Sequence, residues 1–213
     1  VDPARQGLNW YVYCNNNPLM FVDPDGENAY QAMMYLYQYR QQIHDEATKA
    51  GIPENVLKSV VWNENAVRTT AHSVFDSIRI VQLEGKGSLG ICQVQCQMAA
   101  LLLYGPEPSE LKNMNSKEFE STKKEVWEDR SVEQKLLIIA MLYIPEVNIS
   151  FAAQYLNLIK DITSVENEQM LLSNYNRGKN SWYDPPSKYG QRLDEYKHPW
   201  DRPLGFLVPP ASF

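Results

Sequence analysis

Beyond Gly26 the apolar residues of this chain recur three and four positions apart, and turn formers interrupt them at helix-length intervals. Such spacing gathers side chains on one face of a helix, so the chain must bury helical stripes against one another rather than build sheets. Residues 29–50 read as one helix carrying Met33, Leu36, Tyr37 and Ile43, and ending at Gly51, a residue suited to the left-handed C′ position. Pro53 opens a second helix whose Val56, Leu57, Val60 and Val61 form one stripe. Alternation in Ser77-Ile78-Arg79-Ile80 predicts a short strand, and residues 84–87 a turn. A third helix is expected over 90–104, stopping at Gly105-Pro106, and residues 107–130 are so charged that they read as a solvated stretch. Ser131 and Gln134 make a capping box for an apolar helix ending before Pro145. Residues 147–162 then place Ile149, Ala152, Tyr155, Leu156 and Ile159 on one face. A shorter helix over 166–175 breaks at Asn176-Arg177-Gly178, residues 187–197 form a last one, and the proline-bearing tail from His198 wraps the surface. The expected class is mainly α with a small β element.

Composition narrows the function. With 213 residues, 44% of them hydrophobic, the chain suits a single core that needs no metal or disulfide staple. Twenty Lys+Arg against 26 Asp+Glu leave −6, which argues against a nucleic-acid partner held through phosphates. The longest apolar run, 136–144, falls short of the roughly 20 residues of a membrane helix, so no membrane insertion is expected. Three cysteines are no disulfide framework. Cys92 and Cys96 lie one helical turn apart without a histidine pair, and His44, His72 and His198 are scattered, so neither a metal nor another cofactor is expected. Because the chain begins at Val1, it reads as part of a longer protein, and its location must be inferred from its chemistry.

Residues 1–26 are a different kind of sequence. Asp2-Pro3, Asn15-Asn16-Asn17-Pro18 and Asp23-Pro24-Asp25-Gly26 bracket two short aromatic runs, which predicts two strands and a turn. The run from Gly7-Leu8-Asn9-Trp10 through Tyr13-Cys14-Asn15-Asn16-Asn17-Pro18 to Val22-Asp23-Pro24-Asp25-Gly26 resembles the end of an RHS-repeat-associated core. In that family a β shell ends in this signature and a variable toxin domain follows. The resemblance implies two parts, an RHS remnant over 1–26 and a toxin domain over 27–213. Of the family's paired DPxG elements, Asp23-Pro24-Asp25-Gly26 matches fully, while Asp2-Pro3-Ala4-Arg5 has arginine in place of glycine.

The chemistry points to Glu64. It follows Val61 and Val60 by three and four positions and Leu57 by seven, so it shares their apolar face at the end of the helix. Apolar surroundings and the negative end of the helix dipole both disfavour ionisation, so a raised pKa is expected. A carboxylic acid near neutral pH suits cleavage of a glycosidic bond, whose departing oxygen needs a proton. By itself a helix-end glutamate is ordinarily a solvated or capping residue.

Four segments in order resemble the lysozyme-like soluble lytic transglycosylase (SLT) family. Gly51-Ile52-Pro53 with Val60-Val61-Trp62-Asn63-Glu64-Asn65 is similar to the helix ending in Glu-Ser, with Asn65 for serine. Gly87-Ser88-Leu89-Gly90-Ile91-Cys92-Gln93-Val94 is similar to GxxGLMQV, with Cys92 for methionine. Asn148-Ile149 with Tyr155-Leu156 resembles the family's N-I…YL helix, and Asn174-Tyr175-Asn176-Arg177-Gly178 resembles AYNAG. The resemblance implies a lysozyme-like fold and cleavage of the β-1,4 bond between N-acetylmuramic acid and N-acetylglucosamine. Glu64 would be the acid and then the base. Ser88, Gly90, Gln93, Tyr175 and Asn176 would bind substrate, with Tyr175 bonding to or orienting Glu64 across the cleft.

A hydrolytic muramidase would add a second carboxylate, for which Glu84 and Asp76 are the candidates; as a turn residue beside Lys86, Glu84 also reads as simply solvated. A non-catalytic wall-glycan binding module is a further alternative, with Asn65 or Cys92 as the mark of lost activity. The implied partners are peptidoglycan glycan strands, a cognate immunity protein and an upstream RHS shell. The implied setting is secretion or delivery to a target cell's envelope during bacterial competition.

Overall fold

A computed structural model describes residues 28–66, 84–194 and 197. The expected strands in 1–26, the strand at 77–80, Asp76 and the tail from His198 lie outside the described residues.

The described chain is mainly helical. Helix α1 (Asn28–Gln38) and α2 (Arg40–Ala50) divide the expected single helix at Tyr39, whose φ of −102° and ψ of 16° interrupt the helical run. Gly51 ends α2 in the left-handed conformation at φ 65°, with its N–H returned to the Thr48 carbonyl. Helix α3 (Glu54–Ala66) buries Val56, Leu57, Val60 and Val61 as its spacing requires. It also buries Ser59 and Asn63, polar groups that need partners.

A two-stranded antiparallel ribbon follows, β1 (Ser88–Leu89) and β2 (Val94–Gln95), pairing Ser88 with Gln95 and Leu89 with Val94. Helix α4 (Cys96–Tyr104) therefore starts later than residue 90, because residues 90–93 form the turn of the ribbon. Residues 107–130 are not a solvated stretch. They form α5 (Pro108–Asn113) and α6 (Ser116–Glu128), the latter opened by a capping box in which Asn115 and Glu118 satisfy each other's backbone. Phe119, Lys123 and Trp127, four apart, make a narrow buried stripe on α6 while the rest of that helix carries charge to water.

Helix α7 (Val132–Leu142) has the expected Ser131–Gln134 capping box. Helix α8 (Pro145–Thr163) is the central element and buries Ile149, Ala152, Tyr155, Leu156 and Ile159. Helix α9 (Glu168–Tyr175) follows. In place of the helix expected over 187–197 there is a 3₁₀ turn at Gly190–Arg192, and another precedes it at Lys179–Ser181. Helix α2 packs on α8, α1 and α9 pack on α3, and α4 packs on α6 and α8, so one core runs through all of them. Among the described residues no single helix is long and apolar enough to cross a membrane.

Candidate active site

Glu64 sits in the last turn of α3, half-buried, and lines a cleft of about 590 Å³. Ser88, Gln93, Tyr175 and Asn176 line the same cleft. One wall is the ribbon turn, and a buried amide binds it to α8. Asn148 of α8 accepts from the Cys92 N–H at 2.8 Å and donates to the carbonyls of Leu89 at 2.8 Å and Leu142 at 3.1 Å. Gly90 lies against this amide at φ 74°, and a Cβ there would strike Asn148 and the Leu142 carbonyl. Gly90 is thus required by the packing of the turn on Asn148 and does not line the cleft. Gln93 also has a positive φ, 52°, unusual for a side chain with a Cβ, and its amide nitrogen donates to the Gly90 carbonyl at 2.6 Å.

Asn65, which stands where the similar family has serine, donates to the carbonyls of Val61 at 2.6 Å and Ile91 at 2.7 Å. It ties the end of α3 to the ribbon turn and so fixes the Glu64 backbone against that wall.

The hydroxyl of Tyr175 donates to the Cys92 carbonyl at 2.7 Å, not to Glu64 as expected. Its ring packs at a tilt against that of Tyr155 of α8, centroids 5.2 Å apart. Burial pushes its phenol well above the ordinary value, with Cys92 and then Glu64 adding to the effect. Glu64 is therefore within electrostatic reach of Tyr175 without being bonded to it.

Among the described residues, Tyr189 holds Glu64: its hydroxyl donates to Oε1 at 2.6 Å. Burial, followed by the negative field of Glu64 and this hydrogen bond, raises the Tyr189 phenol well above its usual value, so it stays a donor through neutral pH. The segment that delivers it is stitched to α3 by the two buried polar residues noted above. Ser59 accepts from the Asp194 N–H at 3.1 Å, and Asn63 donates to the Tyr189 carbonyl at 3.4 Å. Ser173 of α9 accepts from the Ser187 N–H at 2.9 Å.

The opposite rim comes from α6 and the turn after α9. Glu120 lines the cleft and pairs with Lys123 at 2.6 Å, while Lys179 donates to the carbonyls of Leu111 at 2.7 Å and Met114 at 2.6 Å. Glu84, expected as a possible second carboxylate, is exposed and does not line the cleft; its carbonyl accepts from Gln97. Cys92 is buried and its thiol is pushed up by burial, as an inert apolar group would be. Among the described residues no three His, Cys, Asp or Glu side chains are grouped to hold a metal ion.

No family model, curated protein or solved structure matches this chain. The arrangement offers the Glu64 carboxyl, a phenol behind it that stays protonated through neutral pH, and a facing wall of amides and aromatic rings. That set can move a proton to or from a bound polar molecule.

Proposed function

We propose that the chain has a lysozyme-like helical fold and cleaves the β-1,4 bond between N-acetylmuramic acid and N-acetylglucosamine in peptidoglycan by a lytic transglycosylase mechanism. The observation that carries this is the Glu64 carboxyl, lining a groove and oriented by the Tyr189 hydroxyl at 2.6 Å. Glu64 gives its proton to the oxygen that links the two sugars, and that bond breaks as the muramic C1 gains oxocarbenium character. The carboxylate left behind takes the proton of the muramic C6 hydroxyl as its oxygen closes on C1. The products are a 1,6-anhydro sugar and a free hydroxyl, and Glu64 is again an acid.

Aromatic and amide groups at Tyr155, Tyr175, Gln93 and Asn176 suit the apolar faces and hydroxyls of a sugar chain. Reading the site as a hydrolase is less well supported, because among the described residues Glu84 lies away from the cleft and Glu120, which lines it, is paired with Lys123. A binding module without activity is also less well supported. Asn65 has a structural use in joining α3 to the ribbon turn, so its presence is no mark of a lost reaction. The RHS-like residues 1–26 make this the toxin part of a larger secreted protein, with the target cell's envelope as its place of action and an immunity protein as its natural inhibitor.

Incubation of purified peptidoglycan with the protein, followed by mass spectrometry of the released muropeptides, tests the proposal. Anhydro-muramic ends are expected, and Glu64→Gln should lower their rate by at least roughly 10². Equal rates would remove Glu64 from the chemistry. Reducing ends, heavier by one water, would replace transglycosylation with hydrolysis.

A further inference from the structure

The chain is acidic at −6, yet its cleft is lined by Lys123, Arg177, Lys179 and Arg192 against Glu64 and Glu120. Three of these cations are engaged by the protein. Lys123 pairs with Glu120, and Lys179 donates to the carbonyls that close α5. Arg177 spans its own loop, donating to the carbonyls of Ser181 at 3.4 Å, Asp184 at 3.3 Å and Pro185 at 3.0 Å. Arg192 differs: it is half-buried, and its guanidinium makes no hydrogen bond or ion pair with the described residues. It stands three residues after Tyr189, in the 3₁₀ turn Gly190–Arg192 that docks against α9.

A guanidinium drawn partly out of water and given no acceptor by the described residues is complementary to a ligand that brings one. Its fork fits a carboxylate with two parallel hydrogen bonds. A singly charged carboxylate is favoured over a phosphate dianion, because Glu64 and Glu120 line the same groove and repel the second charge. We infer that Arg192 is a subsite for a carboxylate on the peptide stem of the muramyl residue, so that the cleft prefers stem-bearing glycan to glycan stripped of its stems. This rests on the proposed peptidoglycan substrate and adds the part of it that is recognised beside the scissile bond.

Calorimetric titration with N-acetylmuramyl-L-alanyl-D-glutamate, whose carboxylates are free, and with its diamide tests the subsite without relying on turnover. The wild type should bind the acid about 10-fold or more tighter than the diamide, as one charge-assisted pair implies. Arg192→Gln should bind both alike, and Arg192→Lys should recover part of the preference. Unchanged melting of Arg192→Gln guards against a folding defect, since the substitution removes no hydrogen bond or ion pair with the described residues and keeps most of the side chain's apolar stem. Equal affinity of the wild type for acid and diamide, no binding of the acid, or a preference that survives in Arg192→Gln would overturn the inference. Parallel digestion of stem-bearing and amidase-stripped glycan separates the two claims. An acid preference without cleavage of either glycan would sink the enzymatic proposal and leave this subsite standing. Cleavage of both at equal efficiency, with no acid preference, would do the reverse.

Discussion

Asn148→Asp is a nearly isosteric change at the buried amide on which the ribbon turn hangs. The new carboxylate can still accept from the Cys92 N–H, but it loses both donors and faces the carbonyl oxygens of Leu89 and Leu142. Each lost bond is worth about 1 kcal/mol, and the buried, poorly partnered acceptors and charge add to that, so the variant should be destabilised by about 3 kcal/mol at pH 7. For a chain of this size that corresponds to a melting temperature lower by roughly 6–12 °C, read by circular dichroism or calorimetry. The penalty should depend on pH in a set direction. Burial beside carbonyls raises the folded carboxyl's pKa above its unfolded value of about 3.9. The protonated form, which regains one donor, therefore supports the fold fully below about pH 4, and that support fades as pH rises through the folded pKa. The difference between Asn148→Asp and the wild type should thus shrink at acidic pH, while that of Asn148→Ala should not. A cost under about 1 kcal/mol at pH 7, or a gap between wild type and Asp variant that widens on acidification, would refute the account of this amide as the anchor of the cleft wall.

Tyr189→Phe removes the hydroxyl that orients Glu64 at 2.6 Å, and a hydrogen bond to an ionisable partner is worth about 1.5–3 kcal/mol, so kcat on peptidoglycan should fall by roughly 10- to 150-fold; a fall under about threefold would leave Tyr189 no positioning role. Burial raises the phenols of Tyr155, Tyr175 and Tyr189, so ultraviolet titration of the native protein should leave these three un-ionised at pH 10, where exposed tyrosines are about half ionised, and release them only on unfolding. Cys92 and Cys96 are fully buried and in no disulfide, so a thiol reagent should find two fewer reactive groups in the folded chain than in the unfolded one. Glu54, lowered by its hydrogen bonds to His44 and Lys58, contributes stability above its unfolded value near 4.5 that is lost as pH falls through its lower folded one. Its exposure makes that contribution small, so Glu54→Gln should shift the melting temperature only slightly at pH 7, and less still at pH 3.

What could be read in advance was local. Gly51 ends a helix because the four residues before it supply the carbonyls it caps, and Ser131 begins one because Gln134 is three residues away. The apolar stripe of α3 put Glu64 on the buried side for the same reason, since helical spacing alone decides which side chains share a face. Helix α6 was illegible from its composition because its buried stripe is narrow, only Phe119, Lys123 and Trp127, and one of those is a lysine whose ammonium is satisfied by Glu120. Asn115 and Glu118 were nevertheless a visible capping signal there. The break at Tyr39 had no such mark, as no glycine or proline stands in it.

The part of the cleft that escaped sequence reasoning is the part that comes from a distance. Tyr189 lies 125 residues from Glu64, in a stretch that reads as a last helix, and nothing near it in the chain demands that its hydroxyl meet a carboxyl. The demand is written on the other element. Ser59 and Asn63 place two polar groups on the buried side of α3, one turn apart, and a helix does not bury such groups unless another backbone comes to meet them. The chain that meets them is residues 189–194, so the polar residues that interrupt the apolar face of α3 position the tyrosine behind the acid. The hydrogen bond from Tyr189 to Glu64 then depends on the docking of a short irregular segment, held by a handful of hydrogen bonds to α3 and α9. Loosening that segment should impair the site well before it threatens the fold, because its contacts are few and peripheral while the core around α8 is continuous.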